Sequence, residues 1–197
     1  MKSLFVFICV FTLGACTLAQ SKATLPPVET IDHVDLNSYL GKWYEIASIP
    51  QSFQKQCASD TMAEYSLAED NLIKVYNTCK TNSGEISVAE GRAKIVDSNS
   101  NAKLKVTFVK LGTWIFAFGG NYWILDLGSN YSYSIVGDPS RNYAWILSRN
   151  PSLSTEQLTD AEKSLRANGY DTCKILTSIQ DGGNQSTRMP LCKAVKE

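Results

Sequence analysis

Between residues 43 and 148 one pattern recurs eight times: a run of four to eight residues rich in Val, Ile, Tyr, Phe, Trp and Thr, followed by turn-forming residues. The runs span 43–49, 61–67, 72–79, 90–96, 103–109, 122–127, 133–136 and 143–148. Glu69-Asp70-Asn71, Asp97-Ser98-Asn99-Ser100-Asn101, Gly128-Ser129-Asn130 and Gly137-Asp138-Pro139-Ser140-Arg141-Asn142 supply hairpin chemistry between them. Short β-rich runs at this spacing read as a meander of antiparallel strands. Eight strands are the number that closes an up-and-down barrel around one small ligand, and closure removes the exposed edges that invite aggregation. The expected fold is therefore all-β: an eight-stranded antiparallel up-and-down β-barrel.

After residue 150 the hydrophobic period changes from two to 3.6. Ser154 and Gln157 form a Ser-x-x-Gln capping box, and Leu153 is placed to staple onto Leu158. Leu158, Ala161 and Leu165 make one apolar stripe, with Gly169 positioned to end the helix in a left-handed turn. One C-terminal α-helix is expected against the outside of the barrel. Residues 173–179 predict a short final strand. No internal repeat or second domain is visible, and the expected organisation is a signal peptide over 1–15, a tether over 16–33, barrel plus helix over 34–180, and a tail over 181–197.

Lys and Arg total 19, as do Asp and Glu, giving a formal net charge of +0. With no long basic run, the chain lacks the electrostatic footprint of nucleic-acid binding. Its one histidine, His33, lies in a polar stretch and reads as a solvated side chain, which leaves His-based metal sites and Ser-His-Asp chemistry without support. No phosphate-cradling glycine loop is present. The expectation is no metal, no cofactor and no catalytic residue.

Lys2 precedes an apolar run over residues 4–13 that closes with Gly14 and Ala15, a secretory signal too short to persist as a membrane span. Leu13-Gly14-Ala15-Cys16 resembles the bacterial lipobox, which would make Cys16 the lipidated N-terminus of an outer-membrane lipoprotein facing the periplasm. Ordinary cleavage after Ala15 or Ala19, giving a secreted extracellular protein, is the alternative. A eukaryotic source would favour it, with sequons at Asn130 and Asn184. Cys57, Cys79, Cys173 and Cys192 remain in the body, and four cysteines in an exported chain imply two disulfides.

Gly41-Lys42-Trp43-Tyr44-Glu45-Ile46-Ala47, followed about a hundred residues later by Trp145-Ile146-Leu147-Ser148-Arg149-Asn150-Pro151 before the capped helix, resembles the lipocalins, most closely the bacterial outer-membrane lipocalin and apolipoprotein D branch. Tyr65-Ser66-Leu67, Glu90-Gly91 with Ala93, residues 102–106 and Tyr122-Trp123-Ile124-Leu125 extend the likeness over residues 34–179. The resemblance makes Gly41, Trp43 and Arg149 a structural motif: the Trp43 ring plugs the closed end and Arg149 lies over it. One departure is Leu127-Gly128-Ser129-Asn130-Tyr131, which stands where the family carries an Asp-containing turn motif.

Strand alternation then proposes a ligand-facing set. Tyr65, Asn77 and Trp145 match ligand-facing positions of apolipoprotein D, and parity adds Ala63, Val75, Leu104, Val106, Phe108 and Ala47. These make an apolar calyx for a small hydrophobic ligand, such as a fatty acid, a lysophospholipid or a related lipid; a barrel simply filled by its side chains is the alternative. Tyr65 and Asn77 either anchor a head group or satisfy each other or water. Trp114, Ile115, Phe116 and Phe118 form an apolar segment at the open end, read as a lid, a self-packed flap, or a membrane or partner contact. Cys57 and Cys79 fall near the open end on neighbouring strands, so Cys57–Cys79 with Cys173–Cys192 is the expected pairing, with an apolipoprotein D-like Cys57–Cys192 bridge as the alternative. The expected function is binding, storage or transport of that ligand without catalysis. The rival readings are a lipid isomerase using a free Cys79 thiol and a structural envelope or stress protein with an incidental cavity.

Overall fold

The computed structural model describes residues 25–69, 71–183 and 187–195; the signal segment, Cys16 and the Asn184 sequon lie outside them. Its strands are β1 (Gly41–Ser48), β2 (Cys57–Leu67), β3 (Ile73–Thr81), β4 (Ile86–Ile95), β5 (Lys103–Thr107), β6 (Lys110–Leu111), β7 (Thr113–Trp114), β8 (Gly120–Leu127), β9 (Tyr133–Gly137), β10 (Ala144–Ser148) and β11 (Leu176–Thr177). The helices are α1 (Leu36–Tyr39), α2 (Thr155–Ala167) and α3 (Leu191–Ala194). Strands β1 to β5 and β8 to β10 pair with their neighbours in order, and β10 pairs back onto β1, so the eight expected strands close into the barrel. Strand β11 adds to β1 from outside, and β6 with β7 forms a separate hairpin in the loop between β5 and β8. The strand expected over 103–109 stops at Thr107, whose hydroxyl donates to the Ile115 carbonyl at 2.9 Å and accepts from the Val109 N–H at 3.2 Å. That side chain turns the chain out of the ladder and into the loop.

Alternation sorts the apolar residues into two cores. Trp43, Ala63, Tyr65, Val75, Leu104, Ile124, Val136 and Leu147 belong to the interior cluster. Leu125, Ile135, Ala144 and Ile146, their neighbours of opposite parity, belong to an outer cluster with Leu158, Ala161 and Leu165 of α2. Helix α2 thus docks on the β8–β9–β10–β1 half of the barrel, which is buried on both faces. Its start is the expected capping box: the Gln157 N–H donates to Ser154 Oγ at 3.2 Å and the Ser154 N–H to Gln157 Oε1 at 3.1 Å. Gly169, at φ +76°, ends it in the left-handed region.

Ala47, expected to line the calyx, instead lies in the outer cluster. In β1, Glu45 faces Leu147 and Ala47 faces Ile146, so Ile46 is an extra residue at a bulge. An extra residue reverses the parity of everything beyond it, which sends Ala47 under the helix and puts Ser48 opposite Trp145. Beyond Tyr44–Met62 the β1–β2 ladder opens. The C-terminal segment fills the gap: the Ser178 N–H donates to the Ile46 carbonyl at 2.8 Å and the Asp60 N–H to the Ile179 carbonyl at 2.9 Å. Gln180 Nε2 donates to both the Glu45 and the Thr61 carbonyls, at 2.9 and 2.8 Å. The disulfides are Cys57–Cys79, between β2 and β3, and Cys173–Cys192, which clamps this C-terminal segment.

The closed end is built around Trp43, which is fully buried. Its indole N–H donates to the Tyr39 carbonyl at 2.8 Å, and the Arg149 guanidinium lies 3.7 Å from its ring centroid. Arg149 also donates to the carbonyls of Lys42 and Ser38, each at 2.7 Å, and so ties β10, β1 and α1 together. Gly41, at φ +91°, occupies a backbone region that strains other residues. Above Trp43 the hydroxyls form a chain: Tyr65 to Tyr122 at 3.1 Å, Tyr122 to Tyr39 at 2.8 Å and Tyr39 to Ser134 at 2.9 Å. Burial pushes the Tyr65 phenol up to about 12 and raises those of Tyr39 and Tyr122.

Replacing Arg149 by Ala removes the ring contact and two charged hydrogen bonds, and is expected to lower unfolding free energy by about 2–4 kcal/mol in urea titration. Arg149→Lys restores less than half of that, because an ammonium cannot reach both carbonyls while lying flat on the ring. The tyrosine chain sets an alkaline limit. A phenol whose folded pKa is raised contributes stability that is fully present below its unfolded value of about 10 and is lost as pH rises through the folded value. Absorbance at 295 nm is expected to show these three phenols ionising only as the barrel opens between about pH 10 and 12; their titration in the folded barrel near pH 10 would contradict this.

Candidate ligand-binding calyx

The barrel interior is graded from floor to mouth. At the floor, Tyr39, Tyr65 and Tyr122 meet Leu36, Leu40, Ile73, Val75, Ala93, Leu104 and Val106 around a cavity of about 20 Å³, room for about one water. The wall of this cavity is almost wholly apolar, because the three phenol hydroxyls point at one another and at Ser134. Tyr39 and Tyr65 stack at 5.9 Å with planes 11° apart, and Tyr122 meets Tyr65 edge-on at 6.2 Å.

Of the residues expected to face a ligand, Ala63, Tyr65, Val75 and Leu104 are buried in the interior cluster, and Val106 and Trp145 are half-buried against it. Trp145 stacks on Tyr143 at 6.0 Å. Asn77 lies opposite Ala63 and Ala89, on the face of Val75 and Cys79. Its Oδ1 is buried with no hydrogen-bond partner, an unmatched acceptor of a kind rarely left in a protein interior. Tyr65 does not satisfy it, since the Tyr65 hydroxyl is engaged with Tyr122. Phe108 stands 47% exposed beyond the end of β5. Its ring passes over Gly91, where a Cβ would lie 2.8 Å from it, so only glycine admits the ring there.

Residue-by-residue alternation missed four contributors. Tyr39, Leu36 and Leu40 come from the short helix α1, which four residues of sequence scarcely announce, although Asp35 caps it by accepting from the Asn37 N–H at 2.9 Å. Glu45 is the fourth, and its parity with Trp43 could have revealed it. Its carboxylate is buried, has no cationic partner among the described residues, and accepts from Ser48 Oγ at 2.9 Å, Ser178 Oγ at 2.5 Å and Gln54 Nε2 at 3.0 Å. It thereby ties β1 to the loop beside the mouth and to the C-terminal segment.

At the mouth, the segment after β5 folds back on the outer face of β4. Arg92 lies 4.8 Å from the Trp114 ring centroid and Lys94 4.8 Å from that of Phe116. The self-packed flap is thus what the structure shows for these two rings, whereas Leu111 and Phe118 remain 75% and 73% exposed. Cys79 is committed to its disulfide. Among the described residues, no cluster of three or more His, Cys, Asp or Glu is arranged to hold a metal, and His33 lies exposed, 3.3 Å from the Asn99 carbonyl.

Residues 34–180 match the model of the Lipocalin-like domain. The chain is 37% identical over 150 residues to temperature-induced lipocalin-1 of Arabidopsis thaliana, covering 75% of this chain and 80% of the relative. It is 33% identical over 178 residues to the outer membrane lipoprotein Blc of Vibrio cholerae, covering 89% and 97%, and 37% identical over 178 residues to apolipoprotein D of Rattus norvegicus, covering 86% and 85%. Among solved structures, insecticyanin from the tobacco hornworm superposes with a TM-score of 0.62 at 24% identity, over 79% of this chain and 85% of that one. A closed eight-stranded barrel with its outer helix, a Trp43 plug beneath Arg149 and these matches together place the chain in the lipocalin family.

Proposed function

We propose that this lipocalin binds and carries a single-chain lipid, tail inward, with a hydroxyl-bearing head group near Asn77. The orphan Oδ1 of Asn77 carries the reading. An acceptor without a partner favours a ligand that donates, such as the glycerol hydroxyl of a lysophospholipid, over a bare carboxylate. The dry floor supports the same orientation. Its phenols are already satisfied, so it offers hydrocarbon contact and no competing polar site. Each CH₂ that the calyx encloses contributes about 0.8 kcal/mol, less the ordering losses of the tail.

The activity proposed is carriage without catalysis, since the Sγ of Cys79 is bonded to that of Cys57. For location we propose the cell envelope, with Cys16 as a lipidated terminus facing the periplasm. The relatives from Vibrio cholerae and Escherichia coli are outer membrane lipoproteins, and Leu13-Gly14-Ala15-Cys16 stands where such an anchor would be attached. Free secretion is the second reading, favoured by an exposed sequon residue, Asn130. The mass of the mature N-terminal peptide separates the two: an acylated Cys16 supports the anchor and an unmodified one supports secretion.

Titration with lysophosphatidylcholine and with palmitate, followed by tryptophan fluorescence, is expected to give saturable one-to-one binding that Trp145→Ala weakens. Asn77→Leu is expected to weaken lysophospholipid binding by roughly fivefold, about one net hydrogen bond, while leaving palmitate unchanged. Equal loss for both ligands would refute the head-group assignment, and a folded protein that binds neither would refute lipid carriage.

A further inference from the structure

The outer face of β4 and β5 carries an unbalanced charge. Lys94 stands directly opposite Lys105 across the two strands, an arrangement that repels unless a counter-charge is supplied. Among the described residues, neither lysine, nor Lys110 in the flap, has a carboxylate within ion-pair distance, and the nearby Glu90 is engaged by Lys74 and Arg92 at 3.6 and 3.1 Å. The chain's formal net charge is +0, so this cluster is a local excess. The flap lies against it. Lys94 caps Phe116 at 4.8 Å and Lys110 caps Trp114 at 5.3 Å. The turn that carries Phe118 packs on Lys105, whose Cγ lies 3.2 Å from where a Gly119 Cβ would be. Leu111 and Phe118 project from the same flap, 75% and 73% exposed.

The N-terminal segment adds an independent constraint. The Glu29 N–H donates to Asn168 Oδ1 at 2.8 Å, and the Arg141 guanidinium donates to the Pro26 carbonyl. Arg141 belongs to the β9–β10 loop at the mouth. From there the chain runs down the barrel, its Ile31 N–H donating to the Ile124 carbonyl at 3.1 Å, to the closed end, where the Val34 N–H donates to the Ser100 carbonyl at 2.8 Å. The described chain therefore begins, at Leu25 and Pro26, at the end of the barrel where the flap stands.

We propose that the flap side of the mouth docks on an anionic phospholipid surface, with Leu111 and Phe118 entering the headgroup boundary and Lys94, Lys105 and Lys110 facing the phosphates. Paired apolar and cationic groups are what such a surface selects, and this orientation presents the calyx mouth to the source of its ligand. The docking deepens the lipid-carrier reading and rests on it for its purpose, though not for its test.

The mature chain from residue 17, which carries neither the signal segment nor the Cys16 acyl site, is mixed with vesicles of phosphatidylcholine alone or with phosphatidylglycerol and sedimented. Binding is expected to the mixed vesicles only and to fade with added salt. Lys94→Gln with Lys105→Gln and Lys110→Gln should reduce it by at least roughly tenfold, and Leu111→Ser with Phe118→Ser comparably, while lysophosphatidylcholine binding in solution stays unchanged. No sedimentation with either vesicle, or sedimentation that neither variant alters, overturns the docking; a partner protein would then be the occupant. Docking by a chain that binds no lysophospholipid or palmitate would leave the docking standing and remove the carrier reading.

Discussion

A barrel that is to stay open at one end must be sealed at the other, and here one indole ring makes the seal. Trp43 is held from three sides: its N–H by the Tyr39 carbonyl, its face by Arg149, and its edges by the interior cluster. Arg149 comes from just beyond the last barrel strand and Trp43 from the first, so their contact also closes the sheet at β1–β10. The guanidinium's two other hydrogen bonds hold α1 across the floor. Loosening this node would free the floor helix and the closing strand pair together. That coupling gives the residues most visible in the sequence motif a structural role.

The interior above that seal owes its shape to two departures from regular strand geometry. The bulge at Ile46 turns Ala47 toward α2, allowing β1 to serve the interior core with Trp43 and the outer core with Ala47. The opening of the β1–β2 ladder admits the C-terminal segment, where Glu45, Ser178 and Gln180 replace ladder bonds by side-chain bonds. Both lie in the upper half of the barrel and leave the floor regular. An apolar, hydroxyl-satisfied floor with one unmatched amide oxygen above it, at Asn77, is a gradient of polarity along the barrel axis. A single-chain amphiphile carries the same gradient.

The flap shows how cations hold aromatic rings at a surface. Trp114 and Phe116 would be a liability in a mobile loop, yet Arg92, Lys94 and Lys110 cover them. Lys94 and Lys110 are then left without a carboxylate partner among the described residues, beside Leu111 and Phe118, which are 75% and 73% exposed. Packing of the flap and preparation of a membrane-facing surface are in this sense one arrangement.

Strand number, the capping box, the helix stripe and the Cys57–Cys79 pair were legible in the chain, because each depends on local periodicity or on neighbours joined by short hairpins, and Cys173–Cys192 followed only as the remaining pair. The inward set was legible wherever alternation runs unbroken, as at Ala63, Tyr65, Val75 and Leu104. It failed at Ala47, because a bulge is decided by what packs on either side of a strand and leaves no mark in the strand's own composition. Asn77 could be placed on the inner face, but only the folded barrel left its oxygen without a partner, since that depended on Tyr122 taking the Tyr65 hydroxyl from a distant strand. The sequence by itself determined the architecture, through hydrophobic period and turn chemistry acting over short stretches of chain. Tertiary structure alone decided the floor formed by α1, the wedge of the C-terminal segment and the charged seat of the flap, because each arises from contacts between segments whose separation in sequence carries no periodic signal.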